Sequence, residues 1–128
     1  RIDSMENKRV ENYRDLQVWQ MSHELAQKVF ESGKKFPRSE RDRMAQKMRD
    51  LVVQIPMNVA MGFQKRNRQT KVYFYRAALT ATEQLDYYLL LAKDLGYLKH
   101  SDELVEQLDN IEKKLKGLLR SVAGNDKS

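Results

Sequence analysis

The sequence predicts an all-α protein, an antiparallel up-down-up-down four-helix bundle. Only 5 glycines and 2 prolines occur among 128 residues, so the chain has few of the breaks that a many-turned β architecture requires. Apolar residues recur at spacings of three and four along four long segments, which is typical of amphipathic helices. Because short connections join these segments, successive helices are expected to run antiparallel. The length suits one domain, predicted at residues 13–123, between a flexible N-terminal segment at 1–12 and a flexible tail at 124–128.

The first predicted helix runs from about Tyr13 to Ser32. Gly33 is expected to end it, because glycine readily adopts the left-handed conformation that closes many helices. Its apolar positions are Leu16, Val18, Trp19, Met21, Leu25, Val29 and Phe30.

The second helix is predicted to begin with Ser39 as its N-cap and to continue to Phe63. Pro56 lies inside it, where proline removes one backbone hydrogen bond and clashes with the preceding turn, so a kink is expected. The apolar pattern stays in phase beyond the proline, which indicates one continuous element. That pattern consists of Met44, Met48, Leu51, Val52, Ile55, Val59 and Phe63.

The third helix is expected to start at a cap provided by Asn67 or Thr70 and to end at Gly96. Its spacing assigns Tyr73 to the bundle core and leaves Tyr75 for an exposed or interface position. The fourth helix is predicted to begin with Ser101 as its N-cap. Its core positions are Leu104, Leu108, Ile111, Leu115, Leu118, Leu119 and Val122.

The sequence lacks the residues that several classes of function require. There is no cysteine, and the two histidines, His23 and His100, have no partner at metal-ligand spacing, so neither a metal nor another cofactor is expected. No glycine-rich phosphate loop or nucleophile elbow is present, so the protein is not expected to be an enzyme. Apolar runs such as 89–92 are far too short to cross a membrane, and no leader is recognisable, which favours a cytoplasmic protein.

The positive charge is concentrated in the middle of the chain. The formal net charge is +6, and residues 34–76 hold twelve basic and three acidic side chains, a net charge of +9 for that segment alone. Such asymmetry indicates an acidic partner, of which nucleic acid is the commonest, although a solvated helix face explains it equally well. The candidate nucleic-acid-binding residues flank both ends of the second helix: Arg38, Arg41, Lys47, Arg49, Lys65, Arg66, Arg68 and Lys71.

Aromatic residues offer a second possible contact with nucleic acid. Tyr73, Phe74 and Tyr75 lie beside Lys71 and Arg76, so their rings could stack on bases while the cations hold phosphates. Packing in the core or an interface is the favoured interpretation for them at this helical spacing. Trp19 is likewise interpreted as an anchor for the first helix.

Four stretches of the sequence resemble one bacterial family of four-helix bundles. The stretch 54–62, with Ile55, Pro56, Asn58, Ala60 and Gly62, is similar to its signature Ser-Ile-Pro-x-Asn-Ile-Ala-Glu-Gly, and stretches 13–19, 36–40 and 95–98 agree in order and spacing. The family includes proteins encoded within intervening sequences of large-subunit ribosomal RNA genes. It also includes the accessory variability determinant (Avd) proteins of diversity-generating retroelements.

The resemblance implies a homo-oligomer, in this family a cyclic pentamer, that binds RNA or DNA as an accessory factor and partners a reverse transcriptase. It equally allows the other branch, an intervening-sequence-encoded structural or protein-interaction bundle without nucleic-acid activity. Gln54 and Met61 depart from the signature serine and glutamate, so a role tied to that glutamate is not expected here. In a ring of identical subunits, each basic cluster would become a belt suited to sequence-independent phosphate contacts.

Overall fold

A computed structural model describes residues 10–124, and it consists of helices and their connections. A short 3-10 helix at Tyr13–Asp15 precedes α1 (Gln17–Gly33), and a single helical turn at Arg38–Arg41 precedes α2 (Met44–Gln64). Two long helices follow, α3 (Arg68–Asp94) and α4 (Ser101–Gly124). The predicted all-α four-helix bundle is confirmed. Of the segments predicted to be flexible, residues 1–9 and 125–128 lie outside the described part of the chain.

The bundle closes through contacts of each helix with two others. The most extensive interface joins α2 to α3, while α1 packs on α2, α4 packs on α3, and α1 also contacts α4. The antiparallel order of the helices and the kink at Pro56 stay predictions. The largest fully buried side chains are Tyr75, Phe36, Leu25, Met48, Ile55, Leu85, Leu89, Leu108, Ile111, Leu115, Val29 and Val52.

The second helix begins later than the sequence predicted, and the assignment of Ser39 as its N-cap was wrong. No side chain caps the turn Arg38–Arg41, and the backbone leaves the helical region at Arg43, where φ is −118° and ψ is −88°. The segment 38–43 contains no apolar side chain to bury, so helix formation there has no support from packing. The long helix starts at Met44, the first apolar residue after this segment.

Gly33 does not end α1 in the left-handed conformation that was predicted. The only glycine with positive φ in residues 10–124 is Gly96, and α1 instead ends in 3-10-type hydrogen bonds from the Lys34 and Lys35 amides. A Cβ atom on Gly33 would lie 2.9 Å from Nη2 of Arg49. Glycine therefore serves here to let the Arg49 side chain approach the helix backbone.

Two of the predicted helix caps are confirmed. The Asn67 side chain accepts a hydrogen bond from the Thr70 amide at 3.1 Å, as an N-cap does. Gly96 has a φ of 79°, and the Tyr97 amide donates to the Ala92 carbonyl at 2.8 Å, which is the Schellman arrangement at the end of α3.

The predicted role of Ser101 as an N-cap was wrong. A capping residue stands just outside the helix, whereas Ser101 is itself the first residue of α4. Its side chain is buried, and its Oγ has no hydrogen-bond partner among the described residues.

The predicted positions of two tyrosines in α3 were also wrong, because Tyr75 is buried and Tyr73 is exposed. Tyr75 is 2% exposed and Tyr73 is 68% exposed. Two residues that are two positions apart lie on nearly opposite sides of a helix, so only one of them can face the core. Space for the Tyr75 ring comes from Gly62 on α2, where an added Cβ would lie 2.6 Å from Cε1 of Tyr75. Burial raises the pKa of Tyr75 to about 12.

We expect Gly62→Ala to destabilise the bundle, since the new methyl group would occupy the space of the buried Tyr75 ring. Overpacking of this kind typically costs about 1–3 kcal/mol in the free energy of unfolding. The matched control is Gly117→Ala in α4, where the nearest atom to the added Cβ lies 3.7 Å away on the Arg120 side chain. Urea denaturation should show the control to be more stable than wild type, by about 0.5–1 kcal/mol. Equal stability of the two variants would contradict the close packing of α2 and α3.

Candidate nucleic-acid interface

One group of cations surrounds the connection between α1 and α2. We call it the first basic cluster: Lys34, Lys35, Arg38, Arg41, Arg43 and Lys47. Lys34 pairs with Glu31 at 3.4 Å, and Nε of Arg41 donates a hydrogen bond to the Phe36 carbonyl at 3.2 Å. The candidates Arg38, Arg41 and Lys47 are all exposed.

Arg49 was grouped with these residues in the sequence, but the structure gives it a different role. Its Nη2 donates to the Phe30 carbonyl at 3.0 Å, and its guanidinium lies 5.3 Å from the centre of the Phe30 ring. The same group rests on Gly33. Arg49 therefore joins α1 to α2, and its charge is largely engaged within the bundle.

The other group of cations surrounds the connection between α2 and α3. The second basic cluster consists of Lys65, Arg66, Arg68, Lys71 and Arg76. No acidic residue occurs between Asp50 and Glu83 in the sequence. Because α2 contains 21 residues, the two basic clusters are separated along it by about 30 Å.

Lys71 stabilises the end of α2 through hydrogen bonds to the backbone. Its Nζ donates to the carbonyl of Gly62 at 3.1 Å and to that of Phe63 at 3.0 Å. These carbonyls belong to the last turn of the helix, where cations interact favourably with the helix dipole. Partial burial lowers the pKa of the Lys71 ammonium. Lys71 is thus a capping residue of the fold rather than a free cation.

Of the other cations in the second basic cluster, Arg66 and Arg76 project most freely. Both side chains are exposed. Lys65 is half-buried, with Nζ 5.5 Å from the centre of the Phe74 ring, and Arg68 is half-buried and engaged in an interaction within the protein. Besides Lys71, the cluster therefore contains two exposed guanidinium groups, those of Arg66 and Arg76, and two cations that are half-buried.

Tyr73 adds an exposed aromatic ring to this surface. It meets the Phe74 ring edge-on, with centroids 5.1 Å apart, and it lies three residues before Arg76 on α3. Helix positions three apart are surface neighbours, so the phenol and the Arg76 guanidinium can contact one ligand. An exposed ring beside cations is the arrangement that stacks on unpaired bases. In the sequence, Tyr73 was among three rings that could stack on bases, with a place in the core favoured for it, and the structure shows that it is exposed.

The stretch 54–62 contributes mainly to packing. Ile55, Pro56 and Gly62 are buried, and Ala60 is half-buried. Asn58 is also half-buried, and its Nδ2 donates to the Gln54 carbonyl at 2.7 Å, inside the same helix. Pro56, Asn58 and Ala60 also line an external cavity between α1 and α2.

An apolar groove runs between α1 and α2 on the outside of the bundle. This α1–α2 groove has a volume of about 910 Å³, and Trp19, Phe30, Met57 and Met61 contribute to its lining. Trp19 also packs against the core, as its predicted anchoring role requires, and it stacks on the exposed His23 at 5.0 Å. Met61, which stands where the signature has glutamate, is 40% exposed here.

A smaller groove of about 530 Å³ lies between α2 and α3. Leu51, Tyr87, Tyr88 and Leu91 provide most of the apolar surface of this α2–α3 groove, and Lys47 and Asp50 lie at it as well. Tyr87 is 60% exposed, and the adjacent Leu90 is 52% exposed. The helix α2 is therefore flanked by apolar surface on both sides.

Residues 10–124 contain no group of three or more histidine, cysteine or acidic side chains that could hold a metal ion. Across the same residues, no helix is both long and apolar enough to span a bilayer.

Together, these features define the protein as a small four-helix bundle with two basic clusters and two external apolar grooves. The family model of the 23S rRNA-intervening sequence protein matches residues 14–117. The chain belongs to this family, as the resemblance of its sequence stretches implied. A comparison with curated proteins returns no match.

We expect Lys71→Met to destabilise the protein, because the helix α2 would lose two hydrogen bonds to its terminal carbonyls. The free energy of unfolding should fall by about 1–2 kcal/mol in urea denaturation. Arg66→Met is the control from the same cluster; its side chain is exposed, and its stability should stay within about 0.5 kcal/mol of wild type. An equally stable Lys71→Met protein would show that this lysine does not cap α2.

Proposed function

We propose that this protein is a non-catalytic, homo-oligomeric bundle that binds RNA or DNA through its second basic cluster. In this role it acts as an accessory factor to a nucleic-acid enzyme, such as the reverse transcriptase that Avd-like relatives partner. Membership of the intervening-sequence family is compatible with this role but does not specify it.

One observation is the main support for the proposal. The sequence around an exposed surface of cationic and aromatic side chains contains no carboxylate. Residues 51–82 contain no aspartate or glutamate, and Arg66, Arg76 and Tyr73 are exposed within that stretch. A phosphate approaching this surface meets guanidinium groups that no sequence-adjacent carboxylate neutralises. Contacts of this kind fix the backbone of a nucleic acid without reading its sequence.

The first basic cluster is the weaker candidate, because acidic residues accompany it. Glu40 and Asp42 lie within its sequence, and Lys34 is paired with Glu31. These carboxylates reduce the local positive potential that attracts phosphate. The positive charge of residues 34–76 is therefore expected to attract phosphate less strongly at the start of α2 than at its end.

The two grooves support self-association. Monomeric proteins seldom expose large apolar patches, and here apolar side chains protrude on both sides of α2. Met57 is 58% exposed at the α1–α2 groove, and Tyr87 is 60% exposed at the α2–α3 groove. Two different surfaces on one subunit suit a head-to-tail contact, which closes into a ring when the rotation permits. A ring would repeat the second basic cluster once per subunit.

The alternative is a structural or protein-interaction bundle without nucleic-acid activity. The apolar grooves favour it, since they can be covered by a protein partner as well as by a second copy. In that case the exposed cations only keep the protein soluble. Both functions predict the same fold, and nucleic-acid binding distinguishes them.

We expect the protein to bind a single-stranded RNA oligonucleotide with an affinity that falls steeply with salt, because bound phosphates release counterions. Fluorescence anisotropy titrations at several salt concentrations measure this dependence. In Arg66→Ala/Arg76→Ala, the slope of log affinity against log salt should decrease in magnitude by about 1.4, since each of the two lost phosphate contacts on a single strand contributes about 0.7.

The matched control is Lys113→Ala/Lys114→Ala, which removes the same charge from two exposed positions on α4. Its affinity and salt slope should remain close to those of wild type. The oligomer mass, measured by light scattering, should be the same for all three proteins. Absence of RNA binding at low salt would reject the proposal and favour the alternative function. Equal losses of affinity in both double variants would reject the second basic cluster as the binding surface.

A further inference from the structure

A third cavity lies at the end of the bundle where α1 ends and α3 turns into α4. Its volume is about 440 Å³, and Ser32 from α1 and Lys35 just after it form one wall. The segment from Gly96 to His100 forms the other. We call this cavity the end pocket. It is distinct from the second basic cluster, which flanks the start of α3, about 40 Å away along that helix of 27 residues.

The side chains that line the end pocket are cationic or neutral. Lys35, Lys99 and His100 are basic residues of the lining, Ser32 and Tyr97 carry hydroxyl groups, and no acidic residue belongs to the lining. Within residues 10–124, neither Lys35 nor Lys99 has an ion-pair partner. The pocket therefore contains hydrogen-bond donors and positive charge without an internal anion.

Three acidic side chains close to this end of the bundle contact other lysines, whereas Asp94, the last residue of α3, is exposed two residues before Gly96. Glu31 contacts Lys34 at 3.4 Å. Asp102 contacts Lys93 at 3.4 Å, and Glu103 lies 4.0 Å from Lys28. None of these three pairs involves Lys35 or Lys99, so both ammonium groups stay available to an anion from solution.

The walls of the end pocket are held by the fold. Gly96 adopts its left-handed conformation in the Schellman turn that ends α3. The Tyr97 ring packs on the buried Phe36 ring, with centroids 5.5 Å apart, and Leu98 is buried in the core. Because these anchors fix the turn, the pocket exists before any ligand arrives, which lowers the entropic cost of binding.

We propose that the end pocket binds a phosphate monoester, with Lys35 and Lys99 as its charge partners and the Ser32 hydroxyl as a further donor. A dianionic phosphate group matches two ammonium groups in charge, and charge-assisted hydrogen bonds are the strong ones in proteins. The volume exceeds that of a phosphate group alone, so the attached ribose also fits. The ligand is either a free nucleotide or the phosphorylated end of a nucleic acid. This site does not depend on RNA binding by the second basic cluster.

Isothermal titration calorimetry with adenosine 5′-monophosphate, and with adenosine as the uncharged reference, tests this site. The wild type should bind the nucleotide and not adenosine, and inorganic phosphate should compete. In Lys35→Ala/Lys99→Ala, the affinity for the nucleotide should fall at least about tenfold, because two charge-assisted contacts are lost. Both lysines are exposed, so thermal unfolding should show an unchanged fold.

Two controls separate this site from general positive charge. Lys113→Ala/Lys114→Ala removes the same charge on α4 and should keep the wild-type affinity for the nucleotide. Arg66→Ala/Arg76→Ala should also keep it, even if RNA binding is lost, so the two proposals can fail independently. Equal binding of adenosine and its monophosphate, no nucleotide binding by the wild type, or an unaffected Lys35→Ala/Lys99→Ala variant would overturn the assignment of the end pocket.

The same variant identifies the source of the phosphate. RNA carrying a 5′-phosphate should bind more tightly than the same RNA with a 5′-hydroxyl if the pocket receives a nucleic-acid end, and Lys35→Ala/Lys99→Ala should abolish that difference. If both RNAs bind alike while the nucleotide still binds through Lys35 and Lys99, the phosphate monoester in the pocket comes from a free nucleotide.

Discussion

The approach of the Tyr75 ring to the backbone of Gly62 determines how closely α2 and α3 pack, and much of the remaining structure depends on it. The ring lies so near that even a methyl group at residue 62 would overlap it. This contact belongs to the most extensive helix interface of the bundle. It also orients α3, because with Tyr75 inside, Tyr73 and Arg76 must face solvent.

The same packing brings the Lys71 ammonium to the end of α2, where it binds the carbonyls of Gly62 and Phe63. The connection between α2 and α3 is therefore fixed at both of its ends. Lys71 binds the end of α2, and Asn67 caps the start of α3. A connection fixed in this way keeps Arg66 close to the start of α3. The second basic cluster is thus a product of the α2–α3 interface rather than of the charges alone.

The positive charge of the middle segment divides into cations that stabilise the fold and cations that face solvent. Arg49 links α1 to α2, and Lys71 caps α2. The hydrogen bonds of both side chains are therefore formed with backbone carbonyls inside the protein. Arg66 and Arg76 remain exposed in a stretch of sequence that contains no acidic residue. Net charge therefore overstates the number of groups that can meet a phosphate, and the exposed cations of the second basic cluster are the ones without acidic residues nearby in the sequence.

Features that depend on local chemistry could be predicted from the sequence. The four helices follow from apolar periodicity, and the caps at Asn67 and Gly96 follow from the preferences of those residues at helix ends. The burial of Tyr75 and the exposure of Tyr73 could not be predicted in the same way. Four apolar or aromatic residues are consecutive at 72–75, so several stripes were possible. Which of these residues faces the core depends on Gly62, which lies in α2 and is not part of the α3 pattern.

The roles of Gly33, Arg49 and Lys71 depend on tertiary contacts that periodicity does not encode. A glycine after a helical pattern usually indicates a left-handed cap, but here the end of the Arg49 side chain from α2 lies against Gly33. Likewise, a lysine beside other cations looks identical in sequence whether its ammonium faces solvent or a helix end. The region of positive charge could therefore be located from the sequence, whereas the roles of its individual side chains required the structure.

Photochemical cross-linking of a uridine-containing RNA, followed by peptide mapping with mass spectrometry, tests the central claim most directly. If the exposed ring beside Arg76 stacks on bases, the cross-link should fall on Tyr73 and should disappear in Arg66→Ala/Arg76→Ala. The aromatic residues of the two grooves, Trp19 and Tyr87, provide internal references on other surfaces. Cross-links confined to either of them would place the RNA elsewhere and contradict the account.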